Sequence, residues 1–176
     1  MQVIGEERTR AQFEAMAQRI ESASSDAAFA AAQYASGQAK RSFRTVGSAD
    51  PDSPTGYAAL GQPVPERLTS RTGRLRASID ALQDGVGKAL IGSPAVYAAI
   101  HEFGGKTAPH VIRPRKAKYL RFMGASGNPV YAKSVRHPGS NIPPRPYLRP
   151  AVMNNLAEIK ALIVRVFRRK LGIQEG

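Results

Sequence analysis

With 176 residues, 42% of them hydrophobic, the chain has material for one core of ordinary size and not for two full domains. It holds no cysteine, no tryptophan and three histidines, which excludes a disulfide scaffold or a Cys-ligated metal centre and leaves few ligands for other metal chemistry. Lys and Arg total 26 against 13 acidic residues, a net +13, so a polyanion or an acidic protein surface is the expected neighbour. No apolar run approaches the ~20 residues of a membrane helix. The acidic start, Met1 to Glu7, lacks a secretory core, so a protein soluble in the cytoplasm and without a membrane partner is expected.

Residues from about Glu6 to Lys40 read as one long helix. Phe13, Met16, Ile20, Ala23, Ala27, Ala30 and Tyr34 follow a 3-4 heptad spacing, and at 1.5 Å per residue the rod would be about 50 Å long. Two readings stand for its seam: a helix covering the chain's own core, or one packing in part on another subunit. The stretch 45–70 is rich in Gly, Pro, Ser and Asp. It reads as a long loop, mobile in a free subunit. The expected organisation is therefore 1–44 helix, 45–70 loop and 71–176 an α+β core, one domain in all.

Strand patterning begins near Arg76. Ala77–Leu82, the turn Asp84-Gly85 and Val86–Ile91 form a hairpin candidate,. Pro94 opens a short helix through His101 or Phe103, on which Tyr97, Ile100 and Phe103 supply an apolar face, and Gly104-Gly105 stops it,. Two strands follow, Tyr119–Met123 and Val130–Val135, then an extended stretch from His137 to Pro146. A closing helix runs from about Tyr147 to Lys170 with the stripe Leu148, Val152, Leu156, Ile159, Ile163 and Val166. Leu162, Val164 and Phe167 widen that stripe beyond what one small sheet requires. With Phe13, Met16 and Ile20 they are candidates for a subunit interface. The whole reads as α+β, a long helix, an antiparallel sheet of about four strands with a short helix between hairpins, and a long closing helix.

Charge is unevenly placed. Between Glu102 and Glu158 there is no acidic residue, while Lys106, Arg113, Arg115, Lys116, Lys118, Arg121, Lys133, Arg136, Arg145 and Arg149 are all basic. A solvated basic face and a nucleic-acid contact both account for this. Tyr119, Phe122 and Tyr131 lie among these cations, although plain strand alternation explains their places equally well.

No catalytic constellation is visible. His101-Glu102 would need a second histidine where Gly105 stands to make a zinc-protease helix,. His137 lies in an acid-free stretch without a carboxylate to orient it,. The turn 124–127 lacks the Lys-Ser/Thr of a phosphate loop,. Neither an enzyme nor a cofactor is expected.

Six blocks in order carry a resemblance. They are Thr72-Gly73-Arg74-Leu75-Arg76-Ala77-Ser78-Ile79, the run Tyr97 to Gly104, Val111 to Pro114, Lys118 to Phe122, Ala132 to Gly139, and Arg145 to Ala151. Together they resemble the tail-completion, or head–tail joining, proteins of long-tailed bacteriophages. The resemblance implies a structural virion protein without catalysis, forming a ring, six-fold as in such tails, at the head-proximal end of the tail. Expected partners are its own copies, other neck and tail-tube proteins (a terminator, a head-side connector) and packaged DNA in the lumen. The motif residues are Gly73, Leu75, Tyr97, His101, Glu102, Phe103, Gly104, Pro114, His137, Pro138, Gly139, Pro146, Leu148 and Pro150. Gly73 is expected to allow a sharp turn into the first strand, and Arg145, Tyr147 and Arg149 to face a partner. A tail terminator or head-side stopper, and a basic nucleic-acid module unrelated to virions, are the alternatives.

Overall fold

Helix α1 runs from Glu6 to Arg41, 36 residues and about 54 Å. It carries Glu6 and Glu7 in its first turn and Lys40 and Arg41 in its last, each favourable to the helix dipole. The computed structural model describes residues 5–45, 68–70, 72–124 and 126–173. The Pro- and Gly-rich stretch read from the sequence at 45–70 falls almost wholly on 46–67, outside the described residues.

Alanines 23, 27, 31, 35 and 39 are the buried residues of α1 that recur at every fourth position. A step of four overshoots one turn by about 40°, so the buried stripe drifts round the helix instead of keeping the heptad seam. Ala30 and Tyr34, on that seam, are only half-buried. Small side chains let several elements approach in turn. The Ala31 and Ala35 level meets Ile159 of the closing helix, while Ala39 belongs to the main core with Phe43, Leu68, Leu75, Ile79, Ala98, Tyr147 and Ala151.

Gly73, at φ +72°, caps a short helix α2 (Arg74–Ser78), where the sequence suggested the start of a strand. The turn of good helix formers Arg-Leu-Arg-Ala buries Leu75, and extended backbone begins only at Ile79. The first hairpin then pairs β3 (Asp80–Gln83) with β4 (Ala89–Gly92), following a minimal parallel contact of β1 (Arg44–Thr45) with β2 (Thr69–Ser70). Helix α3 is Ala98–Phe103. It buries Ala98 and Glu102, while Phe103 is 77% exposed. The apolar face expected from Tyr97, Ile100 and Phe103 is therefore not the packed one; the 98/102 spacing points the other side inward.

From Gly105 to Ile142 the chain makes one long antiparallel arm. β5 (Gly105–Lys106) pairs with β10 (Asn141–Ile142), β6 (His110–Ile112) with β9 (Val135–His137), and β7 (Leu120–Met123) with β8 (Pro129–Ala132). Gly105↔Ile142 and Ile112↔Val135 belong to one register. Beyond them residues 113–119 face only 133–134, so the register steps by five before Leu120↔Ala132. The strands are thus shorter and more numerous than the sequence suggests, but the class is α+β, with antiparallel pairs and helices at both ends.

The closing helix is two helices, α4 (Leu148–Met153) and α5 (Leu156–Leu171). Asn154 and Asn155, poor helix formers, separate them, and the Asn155 side chain donates to the Ala151 carbonyl at 2.9 Å. Helix α5 runs antiparallel to α1. Lys170 reaches Asp26 at 2.6 Å, and Arg19 donates to the Leu171 carbonyl at 3.2 Å. The thirteen residues of α1 before Arg19 extend about 20 Å past that contact. On this tip Phe13 is 68% and Met16 59% exposed.

Candidate functional site

The motif blocks 97–104 and 145–151 meet at the root of the arm. Helix α4 begins without a side-chain cap of its own, and its first turn presents the N–H groups of Tyr147, Leu148 and Arg149. Pro150, next in line, has no N–H to satisfy, as suits a first-turn position. Glu102, from α3, supplies the missing acceptors. Its Oε2 accepts from Tyr147 at 2.7 Å and Leu148 at 3.0 Å, and its Oε1 from Arg149 at 2.9 Å. Both carboxylate oxygens are thus taken up by backbone donors at the start of a helix, where a side-chain acceptor satisfies groups the helix itself leaves open,. This one side chain fastens α4 to α3 across the base of the arm.

Tyr147 sits at the centre of the joint, 2% exposed, with its ring edge-on to Phe43 at 5.1 Å. The partner-facing role read for it from sequence is therefore wrong. Local polarity, with Arg145 before it and Arg149 after it, suggested a surface; the tertiary pull of Phe43 and Glu102 buries it. Burial, and secondarily the Glu102 charge, raise its hydroxyl pKa. Arg145 is half-buried and Arg149 exposed.

Beside this lies His101, whose carbonyl accepts from the Arg145 N–H at 2.8 Å and whose ring stands edge-on to Tyr97 at 6.0 Å. Burial, and then the Arg145 charge, lower its pKa. A depressed histidine takes up its proton more readily when unfolded, so stability rises with pH through this window. Its contribution is complete above the ordinary value of about 6.5 and lost as pH falls toward the lower folded value. We expect the urea midpoint of the wild type to fall between about pH 6.5 and 5, and that of His101→Gln to fall less over the same range. Parallel curves would contradict this.

Two glycines shape the arm's root. Gly104 has φ +72°, and a β-carbon there would lie 2.9 Å from the nitrogen and Cδ of Pro144. Gly139 has φ +91°, and a β-carbon there would overlap the carbonyl oxygen of Thr107. Around it the Thr107 N–H donates to the Ser140 carbonyl at 2.9 Å, and the Ser140 N–H to the Thr107 hydroxyl at 2.7 Å. His137 Nδ1 accepts from the Gly139 N–H at 3.0 Å, and its ring stacks on His110, centroids 5.0 Å apart.

Of the remaining motif residues, Leu75 is buried in the main core and Leu148 packs against it. Pro114 is half-buried at the register step of the arm, and Pro138 and Pro146 are exposed. Arg113, Arg115, Lys116, Lys118, Arg121, Lys133 and Arg136 are all exposed on the arm, away from the Glu102 joint. On α5, Ile159 and Val166 are buried, Leu162 and Phe167 half-buried, and Val164 is 48% exposed.

The sequence reading named Glu102 but not its role, which joins residues 45 apart. A signal was present: Glu102 is the only acidic residue between Asp84 and Glu158.

Among the described residues no three His, Cys, Asp or Glu are placed to hold a metal, and no helix is long and apolar enough to cross a membrane. Both Glu102 oxygens hold backbone N–H groups, while the buried Tyr147 hydroxyl has no hydrogen-bond partner among the described residues. Comparison with curated proteins and with solved structures finds no match. The phage virion morphogenesis family model, however, matches residues 3–165, taking in α1, the joint, the arm and most of α5. The chain belongs to the phage virion morphogenesis family.

Proposed function

We propose that this virion morphogenesis protein completes the tail of a long-tailed phage, forming a ring at the head-proximal end and helping to join tail to head. The observation that carries the reading is the projecting tip of α1, whose exposed Phe13 and Met16, with Ile20 at its base, lie outside both core clusters of the described residues. An open apolar groove of about 480 Å3, between α1, β4 and α5, is lined by Ala28, Ala32, Leu90 and Ile163 among others. Ridge and groove are different surfaces of one chain. A contact between them is head-to-tail, the kind that closes into a ring when the rotation permits. Val164 and, in part, Leu162 and Phe167 extend the receiving side. Six copies would match the symmetry of the tails that the family resemblance implies. The neighbours would be a terminator and a head-side connector, and the role is structural, without cofactor or catalysis.

Burying a side chain such as Phe13 or Ile20 contributes ~1.5–3 kcal/mol, so two per contact matter to assembly and little to the isolated fold. The double variant Phe13→Ser, Ile20→Ser is expected to melt like the wild type yet to be missing from purified virions and from rings on isolated tails. Normal incorporation of the folded variant would refute the interface.

A further inference from the structure

The long arm is a two-stranded ribbon that packs mainly on itself, its strand pairs β6–β9 and β7–β8 mostly exposed. At the register step, residues 113–119 on one strand stand opposite 133–134 on the other. This brings Arg113, Arg115, Lys116, Lys118 and Lys133 to one level, flanked by Arg121 and Arg136. All seven are exposed, and the arm contains no acid to pair with them. The ion pairs found among the described residues, Arg10–Glu6 and Lys170–Asp26, lie elsewhere.

We propose that this step is a phosphate-binding surface for duplex DNA, read without regard to sequence. The reading goes beyond the ring, since it needs only the single subunit. Charge complementarity carries it. A field of one sign over a whole element suits a uniform polyanion, whereas protein interfaces are depleted in lysine and in charge at their centres. Three of the seven cations are lysines, compact and hydrated, able to meet a phosphate from many directions. The strand pairs β6–β9 and β7–β8 on either side of the step are two-stranded and slender enough to lie in the major groove, between two rows of phosphates. Lys118 stands 5.8 Å from the centre of the Tyr119 ring, and Tyr131 is paired across the ribbon with Arg121.

The test is fluorescence anisotropy of a labelled mixed-sequence duplex with the full chain over roughly 50 to 200 mM KCl. Binding is expected to weaken linearly on a log–log plot, with a slope near −5 for about six neutralised phosphates. Arg115→Ala, Lys116→Ala and Lys118→Ala together should reduce that slope by about 2.7 without altering the melting temperature. Arg115→Lys alone should keep the wild-type slope, because charge and not guanidinium geometry is counted. The matched control is Lys160→Ala, Arg165→Ala and Arg169→Ala on α5, all exposed, which should leave the slope unchanged. Equal losses from arm and control would mean that net charge alone binds, and would overturn the site. Poly-glutamate binding as tightly as the duplex at the same salt would overturn the DNA assignment and point to an acidic protein surface.

Discussion

Glu102→Ala is expected to be the most damaging single change in the described fold. It leaves the Tyr147, Leu148 and Arg149 N–H groups without acceptors at the start of α4, the first of them fully enclosed. An abandoned buried donor costs about 1–3 kcal/mol, and the two half-exposed ones can recover water. A total of about 3 kcal/mol lowers the melting temperature of a chain this size by roughly 6–12 °C. Glu102→Gln separates charge from geometry. Its amide oxygen can still accept from Tyr147 and Leu148, while its NH2 turns toward the Arg149 N–H, so roughly half of the loss is expected. Thermal denaturation followed by circular dichroism decides it. An alanine variant within a degree or two of the wild type would show that the cap is dispensable.

Gly139→Ala attacks the arm instead of the body. Any β-carbon at 139 meets the Thr107 carbonyl and holds a left-handed backbone that alanine disfavours,. Strain and overlap together amount to about 2–4 kcal/mol. The strand pairs beyond this point pack mainly on themselves, so the cost is taken as local opening and not as global unfolding. Hydrogen exchange should show the amides of Thr107 and of β6–β9 losing protection by about a hundredfold, with the protection of α1 and α5 unchanged. Uniform loss across the chain would mean that the arm and the body unfold as one unit.

What the sequence disclosed depended on how local each feature is. The long first helix, the hairpin about Asp84-Gly85 and the β7–β8 pairing all lie within short windows of periodicity and turn chemistry, and all are present. The pairs β5–β10 and β6–β9 join residues 23 to 37 positions apart, as in Ile112↔Val135 and Gly105↔Ile142. Their strands are two or three residues long, too short for alternation to register. The closing helix reads as one because its apolar stripe continues through Val152 and Leu156, although Asn154-Asn155 ends the first segment. At the joint, the motif blocks identify the right residues, but their contacts are tertiary. Phe103 looks like packing and is exposed; Tyr147 looks like surface and is buried, because helix phase and the distant Glu102 carboxylate decide both. The basic stretch was legible as charge, and only the register step shows that it gathers at one level of the arm.

The claim that this family member completes the tail is tested most directly by removing its gene from the phage and examining the lysate by electron microscopy. The expected lysate holds DNA-filled heads and full-length tails that remain apart, and purified protein added to it restores joined, infectious particles. Joined and infectious particles formed without the protein, or a lysate lacking finished tails that the protein cannot rescue, would contradict a role in joining tail to head.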